Sequence, residues 1–146
     1  MKSITISQPW ATLIVLGAKH YETRTWETRH RGPLAIHAAK YFPEPQRDLC
    51  RQEPFRSILR RAGYHSWLDL PTGAVLGTVR ISGCLPVEDM PPLDPDERAL
   101  GDYYPGRWAW VLDAASELPV PVPCRGMRGI YDIPADRLDR FLLPPF

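Results

Sequence analysis

This 146-residue chain has no apolar run long enough to cross a membrane as a helix. Such a span needs about 20 consecutive apolar residues. The best run, Leu13-Ile14-Val15-Leu16, stops at Gly17. A signal-peptide pattern is also missing, because Met1-Lys2-Ser3-Ile4 leads within a few residues to Gln8 and Pro9. The expected location is the cytoplasm, or the nucleus if the source is a eukaryote. Cysteine is scarce. Cys50, Cys84 and Cys124 are an odd number, lie far apart and form no CxxC pair. That argues against a zinc ribbon and a disulfide framework, and predicts buried, reduced thiols. His20, His30, His37 and His65 show no metal-ligand spacing such as HExxH, so no metal site or cofactor is expected. GxSxG, GxxxxGK[ST] and GxGxxG are absent, which disfavours a serine hydrolase, a P-loop ATPase and a dinucleotide dehydrogenase.

Net charge is nearly absent too, at +1, but it is unevenly spread. Residues 1–80 carry twelve Lys/Arg and six Asp/Glu; residues 81–146 carry six and eleven. An acidic partner for the basic half follows as an expectation. At 44% hydrophobic and 24% charged, the chain reads as one domain able to bury a core without staples. Seventeen prolines and ten glycines favour short strands and frequent turns over a helical bundle.

Ser3–Ile6 alternates and predicts a strand. Ser7-Gln8-Pro9 opens a helix, with Ser7 or Gln8 at the cap and Pro9 in the first turn. Trp10, Leu13, Ile14 and Gly17 recur at helical spacing, and Gly17 ends the helix. Leu34–Ala38 reads as a strand. Residues 43–70 read as a helical insertion rich in arginine, broken or kinked at Pro54. Ala74–Ile81 is a strand with Val75, Val79 and Ile81 on one face. Gly77 within it marks a bulge or a close backbone approach. Met90–Pro105 reads as a long acidic loop, Arg107–Leu112 as a strand, and Pro119–Pro123 as an edge or extended segment. Gly129–Ile133 is a last strand and Ala135–Leu142 a short closing helix. The order predicts an α+β fold, a small β-barrel with flanking helices.

Lys19–Arg31 carries the densest chemistry. If it is extended, Glu22 and Arg24 share one face, and Lys19 can swing to it from the preceding turn. A Lys-Glu-Arg group can hold a phosphate or a base edge, or do acid–base or nucleophilic work. It is equally a solvated ion-pair face. Trp26 with Arg29, His30 and Arg31 suits a single strand, arginines tracking the backbone and a ring stacking on a base. Trp26 is as readily a half-buried strand residue. His37, mid-strand, reads first as a hydrogen-bonded core or rim residue. Lys40 follows that strand. Arg125-Gly126-Met127-Arg128-Gly129 is a glycine-framed basic loop, able to hold a phosphate or simply to turn a hairpin. Trp108 and Trp110 share a strand face.

Three stretches carry a family resemblance: Ser7-Gln8-Pro9-Trp10-Ala11 with Leu13-Ile14, then Gly17-x-Lys19-x-x-Glu22-x-Arg24-x-Trp26, then Arg31-Gly32-Pro33-Leu34-x-Ile36-His37-Ala38. Together with Trp108–Leu112 and Pro121–Ile130 they resemble the ASCH domain, the activating signal cointegrator homology domain. The resemblance implies a PUA-like barrel over residues 1–146. It also implies a cleft where the helix start, the GxKxxExR segment and the strand meet, and binding of RNA or DNA. Taken together with the residue reading above, the expected site residues are Gln8, Trp10, Lys19, Glu22, Arg24, Trp26, Arg29, Arg31, His37, Lys40, Arg125 and Arg128. An enzymatic branch of the family, acting on acetylated cytidine or on RNA, implies Lys19 and Glu22 as catalytic residues. In the amidohydrolase pattern, however, Glu22 stands at the threonine station and Arg80 at that of the strand carboxylate. A third reading is a protein-interaction module built on the Arg47–Arg61 helix and the Asp94–Asp102 loop.

Overall fold

The computed structural model describes residues 1–134 and 136–138. Six strands form one sheet in the order β2-β5-β4-β3-β1-β6. They are β1 (Lys2–Ile6), β2 (Tyr21–Arg24), β3 (Gly32–Ala38), β4 (Ala74–Pro86), β5 (Trp108–Pro123) and β6 (Ile130–Asp132). β1 and β3 run parallel; the other pairs are antiparallel. The sheet curls into a half-barrel. One bond shows how far: β2 and β1 stand four places apart in the sheet order, yet Arg24 Nη2 donates to the Thr5 carbonyl at 2.9 Å. β2 and β6 are the two edges.

Helix α1 (Trp10–Val15) crosses from β1 towards β2 and buries Leu13, Ile14 and Val15. Gly17 ends it at φ +76°, a conformation that costs glycine little. Its start departs from expectation. Pro9 is the cap and no side chain caps it. Gln8 instead folds back over the first turn. Its Oε1 accepts from the Thr12 N–H, and its Nε2 donates to Thr12 Oγ1 and the Pro71 carbonyl.

Pro54 separates α2 (Glu44–Leu49) from α3 (Phe55–Arg61), and a short 3-10 turn, Trp67–Asp69, follows. Phe42, Phe55, Leu59 and Leu70 pack there with Leu13 and Leu100. On α3, Arg56, Arg60 and Arg61 are exposed. Residues 90–105 are not one continuous loop. They contain α4 (Pro95–Ala99), whose cap Asp94 accepts from the Asp96 and Glu97 N–H groups. Pro95 sits at the position where a missing N–H costs nothing.

Within β4 the register shifts between Val75 and Gly77. The shift changes side-chain parity. Leu76, Val79 and Ile81 join the main core with Ile4, Ile36 and Trp110, whereas Val75 joins the opposite cluster with Ala35, Val122 and Leu138. The expectation of one face for Val75, Val79 and Ile81 is therefore corrected. The prolines 119–123 lie where β5 has β4 on one side only, since β2 pairs no further than Val111. The closing helix expected at 135–142 falls outside the described residues, save 136–138. All three cysteines are free and half-buried, and burial pushes the Cys50 thiol up to about 11. No helix among the described residues is long and apolar enough to cross a membrane.

Candidate functional site

Two open cavities share Thr5 as a wall residue. The first, about 260 Å³, is lined by Thr5, Ser7, Trp10, Lys19, Glu22, Arg24, Gly101, Asp102 and Arg107. Strand alternation puts Glu22 and Arg24 on one face of β2, and Arg24 Nε donates to Glu22 Oε2 at 3.1 Å. Lys19 reaches the same recess from the turn before the strand. Only 3% of Lys19 is exposed. Its ammonium donates to the Tyr21 carbonyl and stands 5.6 Å from the Tyr103 ring centroid. Burial pushes Lys19 below the ordinary lysine range, while Glu22, Glu97 and Asp102 work against that shift. Glu97 is itself buried; desolvation raises it above the usual carboxylate range, and its Oε1 accepts from the His20 N–H at 2.7 Å.

The second cavity is larger, about 1040 Å³, and is lined by His37, Lys40, Tyr41, Cys124, Arg125, Gly126, Met127 and Arg128 among others. His37 is 2% exposed. Its hydrogen bonds fix its tautomer. The Cys124 carbonyl at 2.7 Å can only accept, so Nε2 carries the proton. In the neutral ring Nδ1 then accepts from the Thr5 hydroxyl at 3.1 Å, and Thr5 accepts from the Tyr131 hydroxyl at 2.8 Å. Burial lowers His37 below the ordinary histidine range, with the carbonyl bond opposing.

The structure thus gathers Trp10, Lys19, Glu22 and Arg24 in one recess, and His37, Lys40, Arg125 and Arg128 in the other. Four expected residues line neither. Gln8 is fully buried with its amide consumed by Thr12 and Pro71, so it acts as a strut. Trp26 packs edge-on against Trp110 at 4.8 Å, and Trp110 Nε1 donates to its carbonyl. Arg31 donates to the Thr28 and His30 carbonyls of its own loop. Arg29 is exposed in the connection between β2 and β3. Arg80 is exposed on β4 and lines neither cavity.

Sequence reasoning missed Thr5, Tyr41, Met127, Asp102 and Arg107. A polar residue directly before the Trp108 strand was a signal for Arg107. The acidic character of residues 94–102 signalled a wall beside a cation, since Glu97 and Asp102 face Lys19.

The ASCH domain family model matches residues 4–121. Activating signal cointegrator 1 of Homo sapiens is 32% identical over 130 residues, which cover 89% of this chain and 22% of that protein; the Mus musculus protein gives the same values. The chain therefore spans about a fifth of the length of these relatives. The crystal structure of ASCH from Zymomonas mobilis superimposes with a TM-score of 0.53 at 11% identity, covering 95% of this chain and 91% of that one. A serine-to-alanine mutant of the same Zymomonas mobilis protein gives 0.51 at 14%, covering 95% and 92%. At such identities the likeness is one of fold.

Proposed function

The chain belongs to the ASCH domain family, and from that premise we propose that it is a nucleic-acid-binding domain, for RNA or DNA, working through the cleft beside its half-barrel. One observation carries the reading. The first cavity sets donors and an acceptor side by side, Lys19, Arg24 and Arg107 with Glu22, in a recess of one nucleotide's scale. Cations serve phosphate, and a carboxylate beside an ammonium serves a base edge, which offers an amine or imino hydrogen next to an acceptor. Trp10 forms one wall, its indole N–H anchored on the Leu100 carbonyl at 2.7 Å. Fluorescence anisotropy with single- and double-stranded RNA and DNA at two salt concentrations tests the proposal. Binding should weaken with salt, and Lys19→Met and Arg24→Gln should each weaken it about tenfold, as loss of a charge-assisted contact does. Variants that bind like the parent refute the site.

A second reading, a hydrolase acting on a modified cytidine or on RNA, has its own support in Lys19. A buried lysine held below its ordinary range beside a carboxylate suits nucleophilic or general-base work. Product analysis of the same samples, and of a parallel incubation with acetylated cytidine, decides it: intact RNA and unchanged acetylated cytidine reject the enzyme.

A further inference from the structure

We infer that the second cavity is a separate binding site for the sugar–phosphate backbone of an unpaired strand, continuous with the first cavity across Thr5. The protein's ligand is then an oligonucleotide of at least two nucleotides with its bases free. The inference rests on the nucleic-acid reading above and extends it to a surface that reading does not use.

Charge is the first argument. Lys40, Arg125 and Arg128 line the cavity, and no aspartate or glutamate does. Among the described residues none of the three forms an ion pair. In the first cavity, by contrast, Glu22 and Asp102 face Lys19, Arg24 and Arg107. A polyanion is drawn to the unbalanced site.

The wall is also held in place. Gly126 lies so close to the sheet that a Cβ there would come within 2.8 Å of His37 Cε1 and of Thr5 Oγ1. The loop carrying Arg125 and Arg128 is thus seated on the Tyr131–Thr5–His37 hydrogen-bond chain, which His37 continues to the Cys124 carbonyl. With the loop backbone fixed in advance, only the side chains of Arg125 and Arg128 have to order on binding.

Finally, Tyr41 is 77% exposed at this cavity, beside Lys40, with Met127 at 62%. An exposed ring next to backbone-holding cations is the arrangement that stacks a base, and a base inside a duplex has both faces covered by its stacked neighbours. The cavity has roughly four times the volume of the first, room for more than one nucleotide unit.

The test is anisotropy with labelled single-stranded oligonucleotides of two, four and eight nucleotides, as RNA and as DNA. The matching duplexes and competition by nucleoside 5′-monophosphates are measured alongside. Affinity should rise at least tenfold from the monophosphate to the tetranucleotide. Each phosphate held in a single strand contributes about −0.7 to the log–log salt slope, so the second cavity's three cations add about −2 to the slope set by the first cavity, a further loss of about 20-fold from 50 to 200 mM salt. Arg125→Gln/Arg128→Gln should reduce that loss to about threefold, bringing the tetranucleotide near the monophosphate, whose own affinity stays unchanged. Tyr41→Ala should cost about tenfold. Arg60→Gln, an exposed arginine outside both cavities, should change nothing. An affinity independent of length, an unaffected double variant, or duplexes bound as tightly as single strands overturns the inference while leaving the first cavity's binding standing. A parent protein that binds neither monophosphates nor oligonucleotides overturns the nucleic-acid reading and this inference with it.

Discussion

Gly77 and Gly83 lie on the same strand, β4, and alanine should be tolerated at only one of them. A Cβ at Gly77 would stand 2.2 Å from the Ser116 carbonyl oxygen and 3.1 Å from Glu117 Cα, both backbone atoms of β5. No side-chain rotation relieves that. β5 must move off by about 1 Å, which stretches the hydrogen bonds around the Thr78–Ser116 and Gly77–Glu117 pairs beyond their working range. Overpacking of this kind costs about 1–3 kcal/mol, and stranding a buried backbone group adds about 1–3 kcal/mol. The expected loss is about 4 kcal/mol, a large share of the roughly 5–15 kcal/mol that holds a domain together. At about 3–4 °C per kcal/mol for a chain of this size, the melting midpoint should fall by about 12–16 °C. Gly83 is the control. Its Cβ would meet only Val111, with Cγ2 at 3.4 Å, so Gly83→Ala should stay within about 0.5 kcal/mol. Thermal melts and urea titrations with an unchanged m-value measure both. If Gly77→Ala melts within a few degrees of Gly83→Ala, the close approach of β4 and β5 is refuted.

Two further predictions concern buried titratable groups. His37 is lower in the folded state than in the unfolded chain, so the stability it supports is complete above the unfolded value, about 6.5, and is lost as pH falls from there towards the folded value. Urea midpoints between pH 5 and 8 should show that decline in the parent, and His37→Asn should lack it; equal profiles would refute the buried neutral ring. Glu97 is one of the carboxylates that keep the Lys19 ammonium charged, so Glu97→Gln should move the Lys19 titration, followed by NMR at its Cε, to lower pH, and an unmoved or raised titration would refute the coupling.

Much of this was legible because local chemistry and tertiary context agree. The alternation of Ser3–Ile6 does place Ile4 and Ile6 in the core, and the helical spacing of Leu13 and Ile14 buries both. Gly77 does mark a close approach, since a strand glycine has little other use. Of the two tryptophans on β5, Trp110 is fully buried and Trp108 only partly. Lys19, Glu22 and Arg24 do converge, because period 2 aligns the last two and a flexible stem brings in the first. What was illegible depends on partners far along the chain. Val75 has the right parity for the core face until a register shift reverses it. Gln8 looks like a free polar cap until Pro71, 63 residues away, takes its amide. The acidic segment looks solvated, yet Glu97 is buried because the Lys19 turn packs over it.

Both cavities follow from a single topological choice. β1 and β3 are the sheet's parallel pair, with Thr5 opposite His37. Parallel neighbours deliver their carboxyl ends to the same rim, and the two chains must leave it in different directions, which opens a crevice there. After β1 the chain turns through Ser7 towards Trp10, and these residues line the first cavity. After β3 it passes Lys40 and Tyr41, which line the second. Curling of the sheet then brings Arg24 from the far edge onto the Thr5 carbonyl, while the loop between β5 and β6 lays Gly126 over the Thr5 hydroxyl. Thr5 thereby gives its backbone to one recess and its side chain to the other. The balanced charges of the first suit discrimination between bases, for which paired donors and acceptors are needed. The unbalanced charge of the second suits holding a backbone whatever its sequence. If a strand binds as proposed, it meets both in succession across the rim at Thr5, and its length, not the identity of any one nucleotide, should govern how tightly it is held.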